Sequence, residues 1–192
     1  MRVLITGCAG FIGFHLTNKL LKKKNYKIIG IDNLNDYYDT TLKYARLNKL
    51  KKNNNFIFFK IDLIEKKKIQ KLFSKYKIDL VINLAAQAGV RYSQKNPDQY
   101  VNSNILGFYT LVETMKENKV NKLLFASSSS VYGKINAKKF SENLITDKQI
   151  SLYATSKKIN EVLMNFYGNI HNISNIGMRF FTVYGPYGRP DM

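Results

Sequence analysis

Two groups of residues in this 192-residue chain have the types and spacing to do chemistry. The first is Thr6-Gly7-Cys8-Ala9-Gly10-Phe11-Ile12-Gly13, set where a short apolar run meets a segment of helical period. A pyrophosphate needs backbone close at hand and unpaired N–H groups aimed at it. Glycines permit that approach, and a helix N-terminus supplies the N–H groups with a favourable dipole. Asp32 closes the next apolar run, 19 positions after Gly13 (32 − 13). A carboxylate there accepts from both hydroxyls of an adenosine ribose and repels a 2′-phosphate, which points to NAD rather than NADP. Asp62, after the third apolar run, is placed to meet the adenine edge. The second group is Tyr153-Ala154-Thr155-Ser156-Lys157. Four positions on a helix put both side chains on one face. An ammonium beside a phenol stabilises the phenolate and brings its pKa toward working pH. Tyr-x-x-x-Lys is common by chance and gains its force from the glycine loop upstream.

The elements that must position these residues alternate along the chain. Segments 2–6, 26–31, 56–61, 80–83, 122–127 and 174–179 read as buried strands. Segments 11–23, 41–50, 65–76, 97–118 and 152–167 read as helices, and Pro97 is a helix-start signal. Residues 133–147 are polar and irregular, a loop ahead of the Tyr153 helix. Alternation of this kind predicts an α/β fold, a doubly wound Rossmann-type parallel sheet with helices on both faces. The whole of 1–192 reads as a single dinucleotide-binding domain.

The spacing Gly-x-x-Gly-x-x-Gly, with Phe11 and Ile12 before the third glycine, resembles the extended short-chain dehydrogenase/reductases, the NAD-dependent epimerase/dehydratase family. Leu84-Ala85-Ala86 resembles that family's cofactor-side turn, and Asn104 its helix asparagine. Three longer stretches resemble UDP-glucuronate 4-epimerases: Asp32-Asn33-Leu34-Asn35-Asp36-Tyr37-Tyr38-Asp39, Ala85-Ala86-Gln87-Ala88-Gly89-Val90-Arg91-Tyr92-Ser93, and Arg179-Phe180-Phe181-Thr182-Val183-Tyr184-Gly185-Pro186 running on to Met192. The resemblance implies that NAD is held by Gly7, Gly10, Phe11, Ile12 and Gly13, by Asp32, Asn33, Asp62 and Leu63, and by Leu84, Ala85, Ala86 and Asn104, together with Tyr153 and Lys157. It implies a catalytic hydroxyl three before Val131, which is Ser128, acting with Tyr153 and Lys157. Ser129, Ser130 and Thr182 are then expected to meet the sugar carboxylate, with Arg189 adding positive charge and Arg91 facing the substrate. Dehydratases of this branch carry acidic residues just after the catalytic hydroxyl. Here Ser129 and Ser130 stand in those places and cannot act as acid and base, so oxidation and re-reduction at C4 is the expected reaction. Relatives continue into a C-terminal domain that binds the nucleotide, so a truncated chain is the expectation, as is a homodimer paired through 97–118 and 152–167.

Other candidates carry less. His15 and His171 have no partner at metal-ligand spacing and read as structural, with no metal expected. Cys8 has no local base and reads as a small loop residue; Phe180, Phe181 and Tyr184 read as core and cofactor packing. The charge balance, 31 Lys+Arg against 13 Asp+Glu, gives +18. The basic residues form short scattered clusters without interleaved aromatics, so lysine-rich coding and solvated helix faces explain them better than nucleic acid does. A single cysteine suits a reducing cytoplasm, and no apolar stretch reaches membrane length. Three readings follow. They are a UDP-sugar 4-epimerase, a catalytically inactive NAD-binding module, and a nucleic-acid binder with salt-sensitive retention.

Overall fold

The computed structural model describes residues 1–134, 139–188 and 190. Strand β1 (Arg2–Thr6) is buried from Val3 onward, as a strand covered on both sides must be. Its side chains divide by the two-residue period of a strand. Val3 and Ile5 join one core with Phe14, Leu47, Leu50 and Ile82. Leu4 joins the opposite core with Ile69, Leu72, Phe108 and Leu111. The other strands are β2 (Lys27–Asp32), β3 (Phe56–Lys60), β4 (Leu80–Asn83), β5 (Lys122–Ser128) and β6 (Ser174–Phe180). All pairings are parallel, in the order β3-β2-β1-β4-β5-β6. The expected doubly wound sheet is therefore the observed one.

This order matters because the chain winds outward from β1 to β3, then returns to begin again at β4. β1 and β4 are neighbours, but the strand order reverses between them, which opens a crevice outside their carboxyl ends. Thr6 pins the crevice: its Oγ1 donates to Asn83 Oδ1 at 2.6 Å and accepts from the N–H groups of Leu84 and Ala85 at 3.2 and 3.0 Å.

Helices α1 (Phe11–Leu21), α2 (Thr40–Leu50) and α3 (Lys66–Lys75) fall within a few residues of the predicted segments. The segment read as one helix over 97–118 is not uniform. It comprises α5 (Pro97–Tyr100), a π-helical stretch (Val101–Leu106) and α6 (Gly107–Glu117), preceded by a four-residue α4 (Tyr92–Lys95). Four residues are too few to show a helical period, so α4 left no sequence signal. The π turn coincides with Asn104, whose bonds lie across the fold rather than along the helix. Helix α7 (Leu152–His171) starts at Ser151, whose Oγ accepts from the Ala154 N–H at 3.1 Å, and ends at Asn172 in the left-handed conformation, φ 53°. It outruns the predicted 152–167. No described helix is long and apolar enough to cross a membrane.

Candidate active site

A cavity of about 480 Å³ opens at the carboxyl ends of the strands. Its first wall is the glycine loop. Gly7 lies at φ +68°, and a Cβ there would sit 2.7 Å from the Ala85 nitrogen. A Cβ on Gly13 would sit 2.1 Å from the Gly7 carbonyl oxygen, so only glycine lets α1 start this close to the loop. Helix α1 begins at Gly10 with no side-chain cap and no acidic residue in its first turn. Its N-terminal N–H groups and dipole are thus left to an anion. This cradle fits a pyrophosphate.

Beyond the loop, Asp32 is nearly buried. One carboxylate oxygen accepts from the Ala9 N–H at 3.1 Å and the other from the Leu34 N–H at 2.9 Å. Burial raises its pKa from the ordinary carboxylate value, opposed by those N–H groups and by the charges of Lys43 and Arg46. Asn33 donates to Asp62 at 2.8 Å, joining the ends of β2 and β3. Gly7, Gly10, Phe11, Ile12, Gly13, Asp32, Asn33, Asp62 and Leu63 all line the cavity, as do Leu84, Ala85 and Ala86.

At the far end, Ser128 closes β5 and accepts from the Ser130 N–H at 3.1 Å through its Oγ. The chain then turns into a 3-10 segment (Ser129–Tyr132), so four successive serines, Ser127 to Ser130, stand at the cavity. Tyr153 and Lys157 enter from α7. The Lys157 ammonium, on a buried side chain, donates to the Ala126 carbonyl at 2.8 Å, and burial lowers its pKa to about 8. The Tyr153 ring meets Tyr100 edge-on at 6.1 Å between centroids. Phe180 and Thr182 complete this wall.

Two predicted site residues stand off the cavity. Asn104 does not line it; both of its amide ends bond the backbone of Gln87, and its Nδ2 also donates to Ser156 Oγ at 3.0 Å. Arg91 is exposed at the start of α4 and is not among the lining residues. Arg189 lies outside the described residues. Cys8 is fully buried, and burial followed by the Asp32 charge pushes its thiol well above its ordinary value, so it is unreactive. His15 Nε2 lies 2.7 Å from the Pro186 carbonyl, and His171 packs against Phe166 and Tyr167. Tyr184, expected to pack, stands in solvent at 92% exposure.

Sequence reasoning missed Lys43, Asn35 and Gln87, which also line the cavity. A signal existed. The buried residues of α2 are Lys43, Arg46, Leu47 and Leu50, a helical stripe carrying two cations where apolar residues belong. Lys43 is 5% exposed and its ammonium donates to the main-chain oxygen and Oδ1 of Asn35, each at 2.6 Å. Arg46 is fully buried, bonded to the Ala9 carbonyl, the Tyr38 hydroxyl and the Tyr187 carbonyl at 2.8, 2.7 and 2.6 Å.

A doubly wound sheet with a glycine-loop cavity and a Tyr/Lys/Ser group defines a Rossmann-type short-chain dehydrogenase/reductase. Residues 4–192 match the family described as GDP-mannose 4,6 dehydratase, and the chain belongs to that family. It is 48% identical over 192 residues to protein CapI of Staphylococcus aureus, covering 100% of this chain and 57% of that protein. It is 48% identical over 189 residues to the UDP-glucuronate 4-epimerase of Thermodesulfobacterium geofontis, covering 98% of this chain and 58% of that one. The UDP-glucuronic acid 4-epimerase of Bacillus cereus, solved with UDP-glucuronic acid and NAD, superposes with TM-score 0.93 at 39% identity over 100% of this chain and 60% of its own. The chain thus spans about three-fifths of the length of these relatives.

Proposed function

We propose that this chain is the cofactor-binding and catalytic domain of an NAD-dependent nucleotide-sugar 4-epimerase that interconverts UDP-glucuronate and UDP-galacturonate. The observation that carries this reading is one continuous cavity with the glycine cradle and Asp32 at one end and Ser128, Tyr153 and Lys157 at the other. That span suits an extended dinucleotide with its reactive end beside the tyrosine.

NAD, when bound, would accept hydride from the sugar's C4 and return it to the opposite face. Tyr153, as phenolate, takes the proton from the 4-hydroxyl and later gives it back. Lys157, four residues on, supplies the positive charge that makes the phenolate accessible, and its bond to Ala126 fixes the ammonium against the end of β5. Ser128 holds the reacting oxygen. Ser129, Ser130 and Thr182 offer hydroxyls to the sugar carboxylate; Arg189 is assigned there by resemblance, and Arg91, outside the cavity, is given no part. The family's name describes dehydration, which needs an acid and a base beside the catalytic hydroxyl. Serines at both places favour epimerisation instead.

In this reading the nucleotide half of the substrate is held by a region corresponding to the remaining two-fifths of the relatives, and two copies pair through α6 and α7. Tyr109 on α6 and Val162, Phe166 and Ile170 on α7 are exposed apolar residues that such pairing would cover.

The test is incubation of the 192-residue chain with UDP-glucuronate and NAD, followed by NMR. Formation of UDP-galacturonate supports reaction and substrate together. NAD binding without turnover of any UDP-sugar would favour the NAD-binding module.

A further inference from the structure

Tyr100 closes α5 and is fully buried, yet it does not line the cavity. Phenylalanine would fill the same volume without a hydroxyl that costs free energy to bury unless it is bonded. Here the hydroxyl lies 2.9 Å from the Ala88 carbonyl and 2.5 Å from the Gly89 carbonyl, and shares its one proton between them. Two successive carbonyls converge on one donor because Gly89 lies at φ +110°, a conformation that side chains rarely allow. Four positions after Tyr100, Asn104 takes both main-chain groups of Gln87. Two side chains thus grip three consecutive residues of the loop after β4, and all three line the cavity. The same two side chains meet α7. The Tyr100 ring stands against the Tyr153 ring at 76° and 6.1 Å between centroids. Asn104 donates to Ser156, whose hydroxyl donates to the Tyr153 carbonyl at 2.8 Å. The turn of α7 that carries Tyr153 and the loop that walls the cavity therefore share one buried support.

We propose that Tyr100 is a positioning residue for the proton transfer at Tyr153. Its ring fixes the plane of the Tyr153 ring, and its hydroxyl holds the wall formed by Ala88 and Gly89. A proton passes only when donor and acceptor come within about 2.6–3.2 Å. A misplacement of about 1 Å costs about a hundredfold in rate. Tyr100, outside the cavity, acts only through the ring and the loop that it holds. The inference rests on the epimerase reading above and deepens it.

The experiment has two readouts on the 192-residue chain, with folding checked by circular dichroism. One is turnover of UDP-glucuronate with NAD. The other, taken without NAD or sugar, is the mobility of the Tyr153 ring by carbon-13 relaxation in a tyrosine-labelled chain, its signal assigned with Tyr153→Phe. Tyr100→Leu removes ring and hydroxyl, and is expected to lower kcat at least about tenfold and to loosen the Tyr153 ring. Tyr100→Phe restores the ring alone. It is expected to recover kcat and ring order while KM stays raised about fivefold, the value of one ordinary hydrogen bond. Phe73→Leu, a core change on α3, is expected to lower the melting temperature and move neither readout. Should Tyr100→Leu fail to fold, Tyr100→Met carries the same comparison. A Tyr153 ring as ordered in Tyr100→Leu as in wild type, or a kcat that Tyr100→Phe does not recover, overturns the proposal. A wild-type chain that turns over no UDP-sugar overturns the epimerase reading instead, and the ring measurement still decides whether Tyr100 holds Tyr153.

Discussion

Asn104 holds the backbone of Gln87 from both sides: its Oδ1 accepts from the Gln87 N–H at 2.8 Å and its Nδ2 donates to the Gln87 carbonyl at 3.0 Å. A side-chain amide replaces a strand partner for one residue of the loop after β4. Asn104→Leu would leave both main-chain groups buried without partners, each costing about 1–3 kcal/mol. The expected loss of stability is about 3 kcal/mol in urea unfolding, with weaker NAD binding because Gln87 lines the cavity. Unchanged stability would mean that the loop is held by other contacts.

Lys157 predicts that stability rises with pH in the alkaline range. Its ammonium pKa falls from 10.5 to about 8 because of burial, a difference of about 3 kcal/mol between protonation states. Between those values the unfolded chain keeps a proton that the folded chain has released, so stability rises with pH through that window. The penalty is full below about pH 8. Lys157→Met should therefore stabilise the fold at pH 7 by about 1–2 kcal/mol after loss of the Ala126 bond, and the advantage should shrink toward pH 10.5. Thermal melts across this range decide it.

Tyr153→Phe removes only the hydroxyl that moves the proton. Turnover is expected to fall by at least about a hundredfold, as loss of a general base does. NAD affinity should stay within a few fold by calorimetry. Full activity in this variant would sink the proposed mechanism.

Glu161, one turn after Lys157, fastens the catalytic end of the sheet. It accepts from Ser127 Oγ at 2.6 Å and from Arg179 Nε and Nη2 at 2.9 and 3.0 Å, joining β5, β6 and α7. Burial pushes its carboxyl up, but the bonds from Arg179 and Ser127 outweigh this and hold it below 4.5. The stability it contributes is full above pH 4.5 and is lost as pH falls through the lowered value. Arg179→Met should cost about 2 kcal/mol at pH 7, since the pair is largely but not wholly buried. The variant should also lose part of the acid sensitivity, which denaturant titration at pH 3–7 would reveal.

Gly13→Ala tests the cradle. The added methyl would meet the Gly7 carbonyl at 2.1 Å, and that partner is backbone with nowhere to move. NAD binding should be lost and the melting temperature should drop. A variant that binds NAD like wild type would show that the loop is looser than its geometry implies.

The sequence by itself determined the sheet and the glycine loop. Both depend on local rules: short apolar runs such as Val3 to Ile5, cut off by a glycine turn, read as buried strands, and the Gly7, Gly10, Gly13 spacing suits a close backbone. Asp32 and the Tyr153–Lys157 face were legible for the same reason, since each sits at a fixed offset along one element. Tertiary structure alone decided the rest. It drew Asn104 off the cavity onto Gln87, left Arg91 in solvent, and set Lys43 beside Asp32. Those outcomes turn on pairings between residues far apart in the chain, where a buried polar group must find whichever partner the packing brings near.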